Sequence, residues 1–351
     1  MKVKLQPSTT QPSNTKTFLQ YCLQLLAIVR CNGLLQLPTA TAFCLLLLSS
    51  CNKAPISIPS FQEMPSPIAE DLSSIAFADS LHGSITGGKA WEHGFVMNTQ
   101  DGGLSWHTDT MFNWKMEHVC FDPNGQGYAC GQNTLFYRPS GEEHWRLFRM
   151  DFQWLRSCHF LDGRRGAVAG GEGYHGGIVR TFGPEPFWLQ NTADTFPNEI
   201  ESIVYSDSLT LHAVGFGWVM RSTDAGQSWE RLDITGDFFQ SVRFPTSSTG
   251  YICGSSGTIL KTTDGGQHWQ KIRKGGSTGH KLRPFRALWF TTADQGWIVG
   301  DKGLFWQTEE GGASWQPVAE APSDADFTQV YVLGKTGWAT AKNGRLFRFE
   351  F

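Results

Sequence analysis

Apolar residues along this chain fall in short runs that stop at glycine or at a polar turn. One kind of run closes on an aromatic and recurs: SSIAF to Phe77, EHVCF to Phe121, RSCHF to Phe160, ESIVY to Tyr205, QSVRF to Phe244 and RALWF to Phe290. After each come a polar turn and a second run, such as GYACG, GYICG or GWIVG. A third run follows, as in GTILKT or GLFWQT, and then a fourth that starts at a tryptophan. Apolar runs this short, bounded by Gly and rich in aromatic and β-branched residues, predict strands rather than helices.

The fourth run sets a ruler. NTQDGGLSW ends at Trp106, RSTDAGQSW at Trp229, KTTDGGQHW at Trp269 and QTEEGGASW at Trp315, with weaker copies YRPSGEEHW at Trp145 and VRTFGPEPFW at Trp188. Successive tryptophans are 39, 43, 41, 40 and 46 residues apart. Four antiparallel strands every forty or so residues make one propeller blade. Six units end in Trp, and another begins at TQVYV (Thr328 to Val332) and reaches the terminus without an Asp turn or a Trp strand. The extended, proline-bounded run ISIPSFQEMP (Ile56 to Pro65) is free to supply the missing strand, and closure removes the open sheet edge. The expected fold is therefore all-β: a seven-bladed β-propeller of four-stranded antiparallel blades, closed by an N-terminal strand that completes the last blade. The expected divisions are a leader over 1–51, a linker and closing strand over 52–67, and the propeller over 68–351.

KTTDGGQHWQKI (Lys261 to Ile272) holds residue types that serve catalysis or phosphate binding, but periodicity argues otherwise. Asp101, Asp224 and Asp264 recur in Ser/Thr-x-Asp-x-Gly-x-x-Trp, with Glu310 at the same place in a further copy. The weak copies have Ser140 and Gly183 there. A catalytic group is needed once, whereas a group repeated with the blade is structural. The carboxylate can accept its own turn's N–H groups, the Gly supplies positive φ, and Trp106, Trp229, Trp269 and Trp315 bury large faces between blades. A P-loop would need a Lys after the glycines and a helix next, and here a Trp strand follows. His268, where other copies have Ser, reads as an exposed strand residue.

Composition narrows the classes. With 39 Gly, 25 Phe and 14 Trp but 17 % charged residues, the 351-residue chain favours short strands and tight turns. A net charge of −3 without long like-charge runs gives no nucleic-acid footprint. Near the start, an apolar core (Ala42 to Leu48) precedes Leu48-Ser49-Ser50-Cys51, which resembles a bacterial lipobox. It is too short to span a bilayer as a helix. The expectation is an exported protein lipid-anchored through Cys51 in a bacterial cell envelope. Cys120, Cys130, Cys158 and Cys253 sit singly in strand-like runs and read as buried small side chains. A Cys120–Cys130 bridge would require those strands to pair. No metal-ligand spacing and no cofactor motif are visible, so neither is expected.

Gly254, Gly257, Ile259, Leu260, Thr262, Asp264, Gly265, Gly266 and Trp269 form one unbroken G-x-x-G-x-I-L-x-T-x-D-G-G-x-x-W run. With the blade period, the chain resembles the BNR/Asp-box propellers related to photosystem II assembly and stability factors of cyanobacteria and chloroplasts. The resemblance covers about residues 68–349. It implies a non-enzymatic propeller that binds a protein partner, a membrane-protein assembly intermediate among the candidates. Some members are lipoproteins, and relatives occur in bacteria without photosynthesis.

Ligands of propellers bind at the channel ends, on loops entering the innermost strand. Four residues before each strand-ending aromatic, or before Val332, stand Ser73, Glu117, Arg156, Glu201, Gln240, Arg286 and Thr328. Unlike the scaffold, this set varies from unit to unit. Arg156 and Arg286 are candidates to clamp a carboxylate, and Glu117 and Glu201 to neutralise them. Trp114 and Trp154, just upstream, are candidate aromatic contacts. The loops Gly170 to Gly177 and Arg273 to Arg286 vary where the scaffold does not. The leading expectation is a monomeric, partner-binding envelope propeller. The alternative is a sialidase-like glycoside hydrolase using Glu117 and Glu201 as its carboxylates. A quinone- or metal-dependent propeller oxidoreductase lacks a visible ligand cluster.

Overall fold

The computed structural model describes residues 54–171, 176–182, 189–192, 196, 198–276 and 283–351. The leader with Cys51, the weak copy at Trp188 and the middles of both variable loops lie outside the described residues.

The described strands, in chain order, begin with β1 (Gln62–Met64), β2 (Leu72–Phe77), β3 (Gly83–Lys89), β4 (His93–Thr99) and β5 (His107–Phe112). Next come β6 (Met116–Phe121), β7 (Gly127–Arg138), β8 (Arg146–Phe160), β9 (Gly166–Gly171), β10 (Gly177–Phe182) and β11 (Leu189–Thr192). β12 (Ile200–Tyr205), β13 (Leu211–Gly215), β14 (Trp218–Ser222) and β15 (Glu230–Leu232) form the next unit. β16 (Phe239–Arg243), β17 (Gly250–Gly254), β18 (Ile259–Thr262) and β19 (Gln270–Arg273) form another. The remainder are β20 (Phe285–Phe290), β21 (Gly296–Gly300), β22 (Leu304–Thr308), β23 (Gln316–Pro317), β24 (Phe327–Leu333), β25 (Thr336–Ala341) and β26 (Leu346–Glu350). Every pairing between these strands is antiparallel, and the inner strands β2, β6, β8, β12, β16, β20 and β24 touch in cyclic order back to β2.

The strands form six sheets, and this corrects the expected seven blades. Five sheets have four strands, and one has six, in the order β11-β10-β9-β8-β7-β6. The tryptophan ruler counts repeats, and two of its repeats share one sheet. β8 pairs with β7 from Arg146 to Trp154 and with β9 from Leu155 to Phe160. It is the outer strand of one repeat and the inner strand of the next. No Gly, Pro or Asn interrupts Arg146 to Phe160, so nothing ends the strand. At the corresponding step after β5 the chain carries Asn113 and bends.

The recurrent aromatic explains the recurrent glycine. Phe160 pairs with Gly166 and Phe290 with Gly296. A Cβ at Gly166 would sit 2.1 Å from the Phe160 ring, so only glycine lets the ring lie flat on the neighbouring strand. The next residue after such glycines is often a large ring that reaches the following repeat. Tyr128 stacks on Phe160 at 3.5 Å, Tyr251 on Phe290 at 3.7 Å and Trp338 on Phe77 at 3.8 Å. The last contact joins the final sheet to the first. Each such pair contributes about 0.5–1.5 kcal/mol beyond the area it buries.

Closure is completed by the N-terminal segment. β1 pairs with β26, and Arg345 holds Glu63 through two bonds of 2.8 Å. Just upstream, Phe61 packs edge-on to Phe305 at 5.2 Å and stacks on Phe347 and Phe349, each at 5.6 Å. Ile56 bridges Val318, so the same segment also ties down the preceding sheet. β6 and β7 do pair, but their register sets Cys120 opposite Tyr128 and Cys130 opposite His118. Cys120, Cys130, Cys158 and Cys253 are all free thiols, and Cys120 instead has its sulfur 3.1 Å from that of Cys158.

Candidate functional site

The Asp turns are built as local clamps. Asp264 Oδ1 accepts the His268 N–H at 3.0 Å and the Thr262 hydroxyl at 2.8 Å. Thr262 Oγ1 in turn accepts the buried Gly266 N–H at 3.0 Å. Asp101 and Asp224 repeat this pattern with Thr99 and Ser222. Glu310, one methylene longer, accepts the Ser314 hydroxyl, while Thr308 still takes the Gly312 N–H at 3.0 Å. His268 is exposed as expected, yet its Nδ1 lies 2.8 Å from Asp264 Oδ2, where the other turns use a serine hydroxyl. Gly266 has φ +78°, and a Cβ there would meet His212 of the preceding sheet at 2.1 Å. Trp106, Trp229, Trp269 and Trp315 each lie edge-on to a core aromatic, Trp269 to Phe244 at 5.7 Å for example.

The non-repeating residues meet elsewhere, in a channel cavity of about 290 Å³. Ser73, Glu117, Arg156, Glu201, Gln240, Arg286 and Thr328 all line it. The backbone explains why. In every inner strand the ladder skips one residue, between Met116 and His118 or between Phe239 and Ser241 for instance. The skipped residue is each time the one lining the mouth. A bulge leaves its residue outside the ladder and re-aims the side chain.

Below the mouth, side chains tie successive inner strands together. Ser74, His118, Ser157 and Ser202 accept backbone N–H groups of Val119, Cys158, Ile203 and Val242 at 3.3, 3.4, 3.2 and 3.3 Å. Two residues further along, the same face carries Cys120 and His159, and β16, β20 and β24 place Arg243, Trp289 and Tyr331 at the corresponding positions. His159 Nδ1 accepts the Tyr205 N–H at 3.4 Å, Trp289 Nε1 donates to Val332 O at 3.1 Å, and the Tyr331 hydroxyl donates to Phe77 O at 3.0 Å.

Most charges at the mouth are paired. Arg156 meets Glu199 at 2.9 Å and Glu201 at 3.7 Å. Arg286 is held from both nitrogens by Asp301 at 2.9 Å, so its fork is already engaged, and by a residue not expected from sequence. Glu117 binds Lys115 at 2.9 Å and accepts Trp154 Nε1 at 2.8 Å. Burial pushes the Glu201 carboxyl up to about 7, against the pull of Arg156 and with help from Glu199 and Glu117. Arg156 also lies over the Trp154 ring at 4.8 Å, and Trp154 meets Trp91 edge-to-face at 5.7 Å. Trp91 is 62 % exposed and has φ 65°, so it extends an aromatic step outward from the mouth. Gln240 lines the cavity, whereas Trp114 stands apart and is half-buried.

Sequence reasoning did not single out Trp91, Glu199, Asp301 or Arg243. Arg243 was within reach: it sits one residue before an aromatic, on the inward face that strand parity assigns. Among the described residues, no His, Cys, Asp and Glu group stands ready to hold a metal, and no helix is long and apolar enough to cross a membrane.

Six antiparallel sheets around a channel, with a bulged and non-repeating mouth, define a β-propeller. The sequence family described as photosynthesis system II assembly factor YCF48 matches residues 222–319. Among solved structures, the fold is similar to "YCF48 bound to D1 peptide" at TM-score 0.68 and 17 % identity, covering 85 % of this chain and 99 % of that one. It is also similar to YCF48 from Cyanidioschyzon merolae, at TM-score 0.65 and 13 % identity, over 83 % of this chain and 99 % of that one. The WD40 propeller domain of Doa1 is similar at TM-score 0.65 and 10 % identity, over 84 % and 97 %. No curated protein matches the chain.

Proposed function

We propose that this chain is a non-enzymatic propeller that binds a protein partner at the channel mouth, in the manner of a photosystem II assembly factor. The observation that carries this reading is the mouth itself. A repeated backbone device presents residues that do not repeat, beside the Trp91–Trp154 step, while the repeated polar residues are spent on turns. Large aromatic side chains next to charged ones are typical anchors of protein interfaces. One similar fold is that of a protein described as bound to a D1 peptide. The reading carries that kind of ligand, a segment of a membrane protein under assembly, over to this chain. It includes export and a lipid anchor at Cys51, which would hold the propeller at a bacterial envelope membrane as a monomer.

The test is a crosslinked pull-down from envelope membranes with wild type and Trp154→Ala. One membrane-protein partner that is retained by wild type and lost by the variant, with folding unchanged, is expected. Equal retention by both would remove the mouth from the reading. Mass spectrometry of the mature N-terminus should find a diacylglyceryl Cys51, and an unmodified start beyond Cys51 would end the anchor proposal.

One observation favours a second reading, a glycoside hydrolase. Glu201 keeps its proton up to about pH 7, as a general acid must. Turnover of aryl glycosides that disappears in Glu201→Gln would establish it, and no turnover across the panel would dismiss it.

A further inference from the structure

The cations lining the channel are Lys115, Arg156, Arg243, Arg286 and Lys342. Four are paired with carboxylates: Lys115 with Glu117, Arg156 with Glu199 and Glu201, Arg286 with Asp301, and Lys342 with Asp326. Arg243 makes no hydrogen bond or ion pair with a described residue. Its guanidinium carbon lies 3.6 Å from the Trp289 ring centroid. The guanidinium is partly buried and has no counter-ion, which is unfavourable, and a cation–π contact offsets only part of the cost.

We infer that Arg243 is the anchor of a second, deeper site in the channel, one that binds a single carboxylate group. Trp289 covers one face of the guanidinium, which leaves the N–H edge for a coplanar acceptor. A carboxylate matches that fork with two parallel bonds. The His118 and His159 imidazoles lie near enough to feel the Arg243 charge. His118 and His159 each accept a backbone N–H at Nδ1, so the ring proton of each lies on Nε2. Burial and the Arg243 charge hold both pKa values down to about 3, and both rings stay neutral donors near neutral pH. The Tyr331 hydroxyl proton is committed to Phe77 O. The titratable groups that interact with Arg243 are Tyr331, Cys120, His118 and His159, none of them a carboxyl. At the mouth above, Glu117, Glu199, Asp301 and Asp326 offset the four other cations, so no net positive charge remains there to hold a multiply charged anion.

Free small carboxylates and the carboxyl of a peptide share this chemistry. The inference does not rest on the partner reading, since its first test uses acetate alone. Full-length protein is titrated with acetate and followed by calorimetry and by thermal melting. Saturable binding is expected, weakened about 10- to 100-fold in Arg243→Gln, the usual effect of losing a charge-assisted pair. Arg165 does not line the channel, and Arg165→Gln should leave the binding unchanged. Arg243→Met supplies a second measurement: removing an uncompensated charge should raise the melting temperature in anion-free buffer and abolish the rise caused by acetate. Acetate binding that survives both Arg243 variants, or phosphate binding as tight as acetate, would overturn the inference. So would a lower melting temperature of Arg243→Met without anion. A peptide that loses about tenfold in affinity on C-terminal amidation identifies a chain end as the source. Equal affinity of both forms identifies an acidic side chain or a free acid.

Discussion

Asp264 shows how one side chain holds a turn together. Its carboxylate gathers the turn, and its pKa is pulled below the ordinary range, first by the His268 N–H and then by the His268 ring and the Thr262 hydroxyl. Asp101 is likewise lowered, to about 2, by bonds from Ser105, Thr99 and Leu104 that overcome desolvation. A carboxyl that is more acidic in the fold than in the unfolded chain stabilises the fold above about pH 4. That contribution drains away as pH falls through the folded value. Asp264→Ala should therefore cost about 0.5–1.5 kcal/mol in urea melts at pH 7, since solvent screens the partly exposed carboxylate, and progressively less below pH 4, with partner binding unchanged. Glu201 has the opposite sign. Its folded pKa is raised to about 7, so its contribution is complete below about pH 4.5 and is lost as pH rises through 7. The desolvated, neutral His118 and His159 act in the opposite sense up to about pH 6.5. The check is therefore differential: the melting temperature of Glu201→Gln minus that of the wild type should increase from pH 5 to pH 8. The role of Asp264 was legible from repetition alone. The pKa of Glu201 was not, because it depends on residues from three strands closing over one carboxyl.

Strands carry the same contrast. The β2 to β5 unit follows from alternation, glycine and the Asp turn, all local signals. β8 does not, because a period measured between tryptophans is blind to whether a turn separates two units. It runs from Arg146 to Phe160 unbroken and fuses two repeats into one six-stranded sheet. Inserting Asn-Gly after Trp154 should therefore be tolerated with a modest loss of stability, because most other units already break there. A melting temperature unchanged within error would mean that the continuity of β8 is incidental. The closing segment is the more sensitive element. Phe61 is buried among Phe305, Phe347 and Phe349, far from it in sequence. Phe61→Ala should cost about 3–5 kcal/mol by chemical denaturation and increase protease cleavage near β26. A loss below about 1 kcal/mol would show that the segment rests on the ring without closing it.

At the scale of the molecule, a closed ring turns a repeated bulge into a single site. One bulge presents one residue, and the ring brings seven such residues, from Ser73 to Thr328, around a cavity of about 290 Å³. Counting back from the aromatics identified that mouth because strand and bulge recur in register. Counting could not show which charges pair across units, and so did not expose Arg243 as the cation left over. The sequence by itself determined the strands, the Asp turns, the period and the residues facing inward, since each depends on neighbours within about forty positions. Only the tertiary structure decided the number of sheets, the pairing of Arg156 with Glu199 and of Arg286 with Asp301, and the bare guanidinium on Trp289. Those depend on groups brought together by closure of the ring, where distance in space no longer follows distance along the chain.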